Sequence, residues 1–366
     1  MSSSQPESYL KLGLVVLFLL MLVIFSFRIF PQTPLKPLIS PGFLKGINLT
    51  STFEYTFRSE GLSKIVSDNL QGKEGEYAVY IEELSATTSA HLRGGVENKA
   101  DSHLGGEVKD DPEIYTLRSS DSFPAASLYK VYLIAAVLKE VEQSVILGSE
   151  ATPESKKDSG QARMTMQTRL NASKSHLIDV YGGVDFGYED APEQIGYTVE
   201  EALTRVGRIS DNFAAIMLMD KVGTEKVQAV ADSLGARNTL MKSPITTSAD
   251  DMGAFFRALY RKEVVSPAVA EQITKFLSFN QLNDRIPAGI SNSDPSNASN
   301  PPNPTIIHKT GELAGVRHDA GIVILPEKAY VIVLMSKSLK YEDEGVETLA
   351  RISKDVYEYF KGKKKD

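Results

Sequence analysis

The chain has no cysteine and only five histidines among its 366 residues. The first absence removes thiol catalysis, disulfide staples and cysteine-based zinc sites together. The second leaves little material for a histidine metal site, and no metal-ligand spacing stands out among His91, His103 and His176. An excess of basic charge is also missing: 40 Lys and Arg stand against 47 Asp and Glu, a net charge of -7. Without a basic stripe the chain lacks the footprint of a protein that tracks nucleic-acid phosphates. There is no glycine-rich phosphate loop, no Gly-x-Ser-x-Gly elbow and no internal repeat. Neither a metal nor an organic cofactor is called for. The length allows a sizeable buried core, and the apolar and charged fractions are those of an ordinary globular protein. Absence of cysteine also suits an exported protein.

One long apolar run stands out. Residues 12–26 read LGLVVLFLLMLVIFS between Lys11 and Arg28, and Phe27, Ile29 and Phe30 prolong them. A bilayer span needs roughly 18 to 20 residues, which the prolonged run reaches if Arg28 snorkels. A cleaved signal peptide would show small residues after the apolar stretch, whereas Phe27-Arg28-Ile29-Phe30-Pro31 follows here. The expected organisation is a short tail at 1–11, a transmembrane anchor at 12–30, a proline-rich linker at 31–49 and a catalytic domain at 50–366. Flanking charge leaves the orientation open, because Lys11 lies on one side and Arg28 and Lys36 on the other, a pattern weakly contrary to an outside domain.

Within the domain, Tyr77–Ile81 and Ile114–Leu117 read as β-branched and aromatic strands, expected to pair as a hairpin. Residues 131–137 (VYLIAAV) are apolar on nearly every side, the mark of a buried helix. FAAIMLMDKV at 213–222 and MGAFFRAL at 252–259 predict two more helices, the latter capped by Thr247 or Ser248. Strand-like runs follow at 305–308, 321–325 and 330–335. Val346, Leu349, Ile352, Val356 and Phe360 then recur at helical spacing. Strands at both ends and helices between them predict an α+β domain: an antiparallel sheet flanked by helices, plus a mostly helical subdomain over about 131–285. Polar stretches near 85–111, 141–165 and 285–304 read as insertions.

Three short motifs carry chemistry. Ser127-Leu-Tyr-Lys130 precedes the apolar helix. If Ser127 opens that helix, serine and lysine share one face. Desolvation then lowers the lysine pKa and makes Lys130 a base for the serine hydroxyl, while a helix N-terminal N–H can hold an oxyanion. Read structurally, Ser127 is merely an N-cap. In Ser210-Asp211-Asn212, Ser210 can pass a proton to a leaving nitrogen and Asn212 can bond a substrate amide; Ser210 or Asp211 can equally be just a cap. The same tripeptide occurs at Ser67-Asp68-Asn69, in what reads as an ordinary surface helix and a decoy. Lys309-Thr310-Gly311 ends the run TIIH. There a lysine and a threonine can grip a carboxylate, Gly311 lets a substrate backbone lie close, and the N–H of Glu312 is a second oxyanion donor; alternatively the strand simply stops in a glycine turn. Order and context make the three together far less coincidental than any one. A Ser–His–Asp triad from His308 or His318 with Asp319 is possible on paper, but a hydrogen bond between His318 and Asp319 within the strand pair is the more ordinary expectation.

The segment Phe123-Pro124-Ala125-Ala126-Ser127-Leu128-Tyr129-Lys130 resembles the nucleophile segment of class A β-lactamases and related penicillin-binding enzymes. HKTGELAGVRHDAGIVILP at 308–326 is similar to the last active-site strand of that family and the strand after it. Residues 246–252 resemble the start of a family helix. The likeness covers about 55–361. It implies Ser127 as the acylated nucleophile with Lys130 its base, and Ser210 as proton shuttle. It implies Asn212, Lys309, Thr310 and Gly311 as the substrate-binding set, and the N–H groups of Ser127 and Glu312 as the oxyanion hole. One departure matters. Class A β-lactamases carry, on an omega-shaped loop before the helix that begins here near Thr247, a glutamate that activates the deacylating water. Residues 233–249 (SLGARNTLMKSPITTSA) contain no Asp or Glu.

The expectation is therefore a membrane-anchored active-site-serine hydrolase facing the cell wall, in the bacterial cytoplasmic membrane with its catalytic domain outside. Its partners would be a peptidoglycan D-Ala-D-Ala stem peptide or a β-lactam. The missing glutamate favours a D,D-peptidase or slow penicillin binder over a functional class A β-lactamase. A non-catalytic cell-wall-binding protein on the same fold and a glutaminase-like amidase are the alternatives.

Overall fold

The computed structural model describes residues 59–84, 112–150, 163–291 and 304–362. The expected anchor at 12–30, the linker at 31–49 and the polar stretch 85–111 lie outside the described residues. Among the described residues, no helix is long and apolar enough to cross a membrane.

In chain order the elements are α1 (Glu60–Leu70), β1 (Glu76–Leu84), β2 (Ile114–Leu117), β3 (Phe123–Pro124), a 3₁₀ turn (Ala126–Tyr129) and α2 (Lys130–Glu150). Then come β4 (Arg169–Ser173), α3 (Lys174–Tyr181), β5 (Gln194–Thr198), α4 (Val199–Ile209), α5 (Asn212–Val222) and α6 (Thr224–Ser233). The last are β6 (Thr246–Thr247), α7 (Ala249–Tyr260), α8 (Pro267–Ser278), α9 (Ile286–Ser291), β7 (Thr305–Leu313), β8 (Val316–Ile324), β9 (Ala329–Lys337) and α10 (Glu342–Gly362).

The strands form an antiparallel five-stranded sheet of order β2-β1-β9-β8-β7. First and last strands meet as expected, with Val79 opposite Leu334. Because side chains alternate across a strand, β9 serves two cores. Val331, Val333 and Met335 pack with the helical half around α2, α5, α7 and α8, whereas Tyr330, Ile332 and Leu334 pack under α1, α9 and α10. That double burial is why the run 329–335 is apolar without interruption. The helix α2 is buried all round from Val131 to Leu138, as its composition requires.

Helix starts are set by side chains. Ser248 caps α7 by accepting from the Asp251 N–H, and Thr198 with Glu201 forms a capping box on α4. The middle of the chain is mostly helical, with two small two-stranded sheets, β3-β6 and β4-β5, that periodicity did not reveal.

Three expectations need correction. The helix α2 runs on to Glu150, and Val141 and Met164 are buried, so the insertion near 141–165 is narrower than its polarity suggested. Likewise Arg285, Ile286 and Ile290 are buried, and α9 packs against α10. Residues 285–291 therefore belong to the second core, and residues 292–303 lie outside the described residues. The run at Lys309-Thr310-Gly311 does not end a strand. Pairing with β8 continues through Glu312 opposite Arg317 and Leu313 opposite Val316, and the chain turns at Gly315, whose φ is 67°.

Candidate active site

Ser127 does not open the α-helix. It sits in the 3₁₀ turn that feeds α2, and Lys130 is the first residue of the helix proper. The turn is entered through Ala126 at φ 46°, a left-handed conformation that costs a non-glycine residue about 1 kcal/mol or more. It is held from outside: Ala125 N–H donates to the Ile245 carbonyl at 2.9 Å, and β3 pairs with β6 just before it. Ser127 is half-buried and Lys130 fully buried. The consequence for Lys130 is electrostatic. Burial lowers its pKa to about 7, against the opposing pull of the Asp185 and Asp211 charges.

The second motif joins two helices. Ser210 terminates α4 in a left-handed conformation, φ 57°, and Asp211 caps α5 by accepting from Ala214 N–H at 2.8 Å. Asp211 is immobilised further by Tyr188 Oη at 2.7 Å and Arg205 Nε at 2.6 Å, and the Arg205 guanidinium also lies 5.0 Å over the Tyr197 ring. This anchoring turns the flanking residues toward Lys130. The lysine Nζ donates to the Ser210 carbonyl at 2.5 Å, to Ser210 Oγ at 3.3 Å and to Asn212 Oδ1 at 2.7 Å.

The third motif arrives on β7. Lys309 Nζ donates to Ser210 Oγ at 2.7 Å and to the Thr310 carbonyl at 2.8 Å. Burial first, then the nearby Lys130 charge, hold its pKa well below the lysine range. Gly311 fits because β7 lies directly on the serine turn. A Cβ there would stand 3.2 Å from Ala126 Cβ and 3.3 Å from both the Ala125 carbonyl and Leu128 Cγ. Close packing, and no turn, is the reason for that glycine. Thr310 is buried. The Glu312 side chain is exposed and pairs with Arg285; burial would raise its pKa, but that hydrogen bond and the surrounding cations hold it low.

The structure thus brings together Lys130, Ser210, Asn212 and Lys309 by hydrogen bonds, and packs the Ser127 turn against Gly311. The decoy stays apart. Asp68 pairs with Lys64 at 2.6 Å and Asn69 donates to Asp355 at 2.7 Å, both on the exposed side of α1. The histidine expectation changes partner. Asp319 bonds His308 Nδ1 at 2.9 Å, while His318 Nε2 donates to the Pro124 carbonyl at 2.8 Å. In the antiparallel register His308 and Asp319 lie on adjacent strands two residues out of line, a diagonal pair whose side chains share one face. Burial lowers the His318 pKa to about 4, so this imidazole is neutral and structural.

Four participants were invisible in the sequence: Asp185, Tyr188, Arg205 and Arg285. Asp185 accepts from both the backbone and side-chain nitrogens of Asn212, at 2.9 Å each. The segment 233–249, free of acids, folds back as a Leu240–Thr246 bridge and β6. Asp251 fastens it, accepting from Asn238 N–H and Thr239 Oγ1 at 2.8 Å each.

A family model described as the beta-lactamase enzyme family matches residues 62–360. The chain belongs to this family. Membership supports a serine hydrolase acting on amides. Solved structures agree in fold. The chain is similar to PBP-A at 21% identity and a TM-score of 0.62, covering 84% of this chain and 97% of that one. A mutant of PBP-A captured as an acyl-enzyme complex with penicillin G matches at 21% identity and a TM-score of 0.62, over 83% of this chain and 97% of that one. A beta-lactamase from Sphaerobacter thermophilus matches at 17% identity and a TM-score of 0.60, over 84% of this chain and 98% of that one. Comparison with curated proteins yields no match.

Proposed function

We propose that this beta-lactamase-family protein is a membrane-anchored serine hydrolase acylated at Ser127 by a β-lactam or a D-Ala-D-Ala-type amide. The observation that carries the reading is the convergence of two buried lysines on Ser210 Oγ beside the Ser127 turn. Lys130, its pKa lowered to about 7, takes the Ser127 proton as Oγ bonds to the carbonyl carbon. The N–H groups of Ser127 and Glu312 hold the oxyanion. As the carbon–nitrogen bond breaks, Ser210 gives its proton to the departing nitrogen and is reprotonated from Lys130. Lys309 and Thr310 bind the substrate carboxylate, and Asn212 its amide. The PBP-A acyl-enzyme with penicillin G supports the same chemistry on a similar fold.

Release of the acyl group is the slow step in this reading. Residues 233–249 offer no carboxylate to activate water. Asp251 at their border is buried and engaged with Asn238 and Thr239. This favours a D,D-peptidase or slow penicillin binder over an efficient β-lactamase. The apolar run at 12–30 supports an anchor in a bacterial cytoplasmic membrane with the domain outside, where peptidoglycan stem peptides are found. A fluorescent penicillin will label the wild type covalently and persist for minutes or longer, and Ser127→Ala will abolish the label. Loss of label within seconds would assign a β-lactamase instead. An unlabelled wild type would overturn the acylation reading.

A further inference from the structure

We propose that Asp185 is a positioning residue for acylation: its carboxylate grips Asn212 by both nitrogens and so keeps the Asn212 amide oxygen turned toward Lys130. The inference rests on the function proposed above and adds a residue that neither the motifs nor the family resemblance assigns.

Asp185 lies in the loop after α3, in the stretch 182–187, and is nine-tenths buried. Its Oδ2 accepts from the Asn212 N–H and its Oδ1 from Asn212 Nδ2, each at 2.9 Å. Capping alone does not explain both bonds. The first-turn amides of α5 need acceptors, and Asp211 already supplies one to Ala214. The second bond, to the side chain, does something different. A carboxylate only accepts, so the nitrogen of the Asn212 amide must face Asp185 and the oxygen must face away. The oxygen then meets Lys130 Nζ at 2.7 Å. Turning the amide over would set oxygen against carboxylate and NH₂ against the lysine. Nδ2 spends one hydrogen on Asp185 and keeps the other for a substrate carbonyl.

Charge supports the geometry. Lys130 is faced by Ser210, by Asp211 (itself held by Arg205 and Tyr188) and by Lys309 from β7, with Asp185 behind Asn212. The Asp185 charge works against burial and favours the protonated lysine. Removing it lowers the Lys130 pKa further.

The test uses the full chain and its variants Asp185→Asn, Asp185→Glu and Asn212→Ala, with the Asp185→Asn/Asn212→Ala double variant. Penicillin acylation rates are measured across pH, and Lys130 is titrated by NMR of ¹³C-labelled lysine, its resonance identified by loss in Lys130→Arg. Asp185→Asn is expected to lower the acylation plateau at least about tenfold, as misplacing a reacting group does, and to move the Lys130 midpoint to lower pH. Asp185→Glu keeps the charge but misplaces it, so its plateau falls while the midpoint stays. In the Asn212→Ala background, Asp185→Asn costs nothing more, because the residue acts through Asn212. Unchanged plateau and midpoint in Asp185→Asn would overturn the proposal, as would additive losses in the double variant. If Asp185→Asn fails to fold, an unchanged plateau in Asp185→Glu overturns it. A wild type that takes no label sinks the functional reading by itself. The lysine titration of Asp185→Asn then still decides whether Asp185 controls Lys130, an unmoved midpoint overturning the proposal.

Discussion

Ser210 Oγ accepts from Lys309 at 2.7 Å and from Lys130 at 3.3 Å, which occupies its lone pairs and leaves its single hydrogen free to point outward. A hydroxyl so placed can only donate to whatever enters the site, the behaviour a leaving nitrogen requires. In the proposed reaction the state of Lys130 decides the first half. Burial depresses its pKa to about 7, so the amine is protonated below that value and free above it. The sign follows: the acylation rate is expected to rise with pH through about 7 and level off above it. Stopped-flow labelling across pH checks this, and a rate flat from pH 5 to 9 would remove Lys130 as the base.

At the scale of elements, the candidate active site is a contact between one strand and one turn. The strand β7 can lie on the Ala126–Tyr129 turn only because Gly311 presents no side chain. The neighbours that a Cβ would meet include a backbone carbonyl, which cannot yield without moving the turn. Gly311→Val is therefore expected to slow acylation by about 10²-fold, since a displacement near 1 Å at a reacting group costs that much. The fold should persist, because β7 keeps its pairing with β8. Labelling kinetics beside a thermal melt separate the two effects. The capped helix start at Asp211 plays the matching role on the other side, fixing Ser210 and Asn212 through bonds to Tyr188 and Arg205.

Considered whole, the described residues build two cores on the two faces of one sheet, and the candidate site lies where the helical half meets the edge strand β7. Such a rigid setting suits a nucleophile that must be held, because reacting groups placed on packed elements are positioned more closely than groups on loops. The apolar run at 12–30 adds a prediction of a different kind. Full-length chain is expected to sediment with membranes and to need detergent for release, whereas a chain begun at residue 31 should stay in the supernatant and still take penicillin label. Fractionation followed by fluorescence detection reads both at once. A full-length chain found in the supernatant would refute the anchor.

Residue types at short spacing were enough to read Ser127, Lys130, Ser210, Asn212 and Lys309 as a set. Each motif lies within one local structure, so its residue types are legible at short range. The same holds for the β-branched and aromatic run of β1 and the all-round apolar α2, whose burial follows directly from composition. Local reading also has a blind side. Ser67-Asp68-Asn69 and Ser210-Asp211-Asn212 are identical as text, and only packing makes one a solvated helix face and the other a lysine ligand. Asp185 lies 27 residues from Asn212 in sequence, and no spacing rule links them. The choice of His308 over His318 as the partner of Asp319 depends on strand register, which residues far apart in the chain decide jointly. The sequence by itself therefore determined which groups can react, because nucleophile, base and carboxylate grip are properties of residue type. Tertiary structure alone decided which of them meet, and how far burial shifts the lysines, because distance and desolvation belong to the fold.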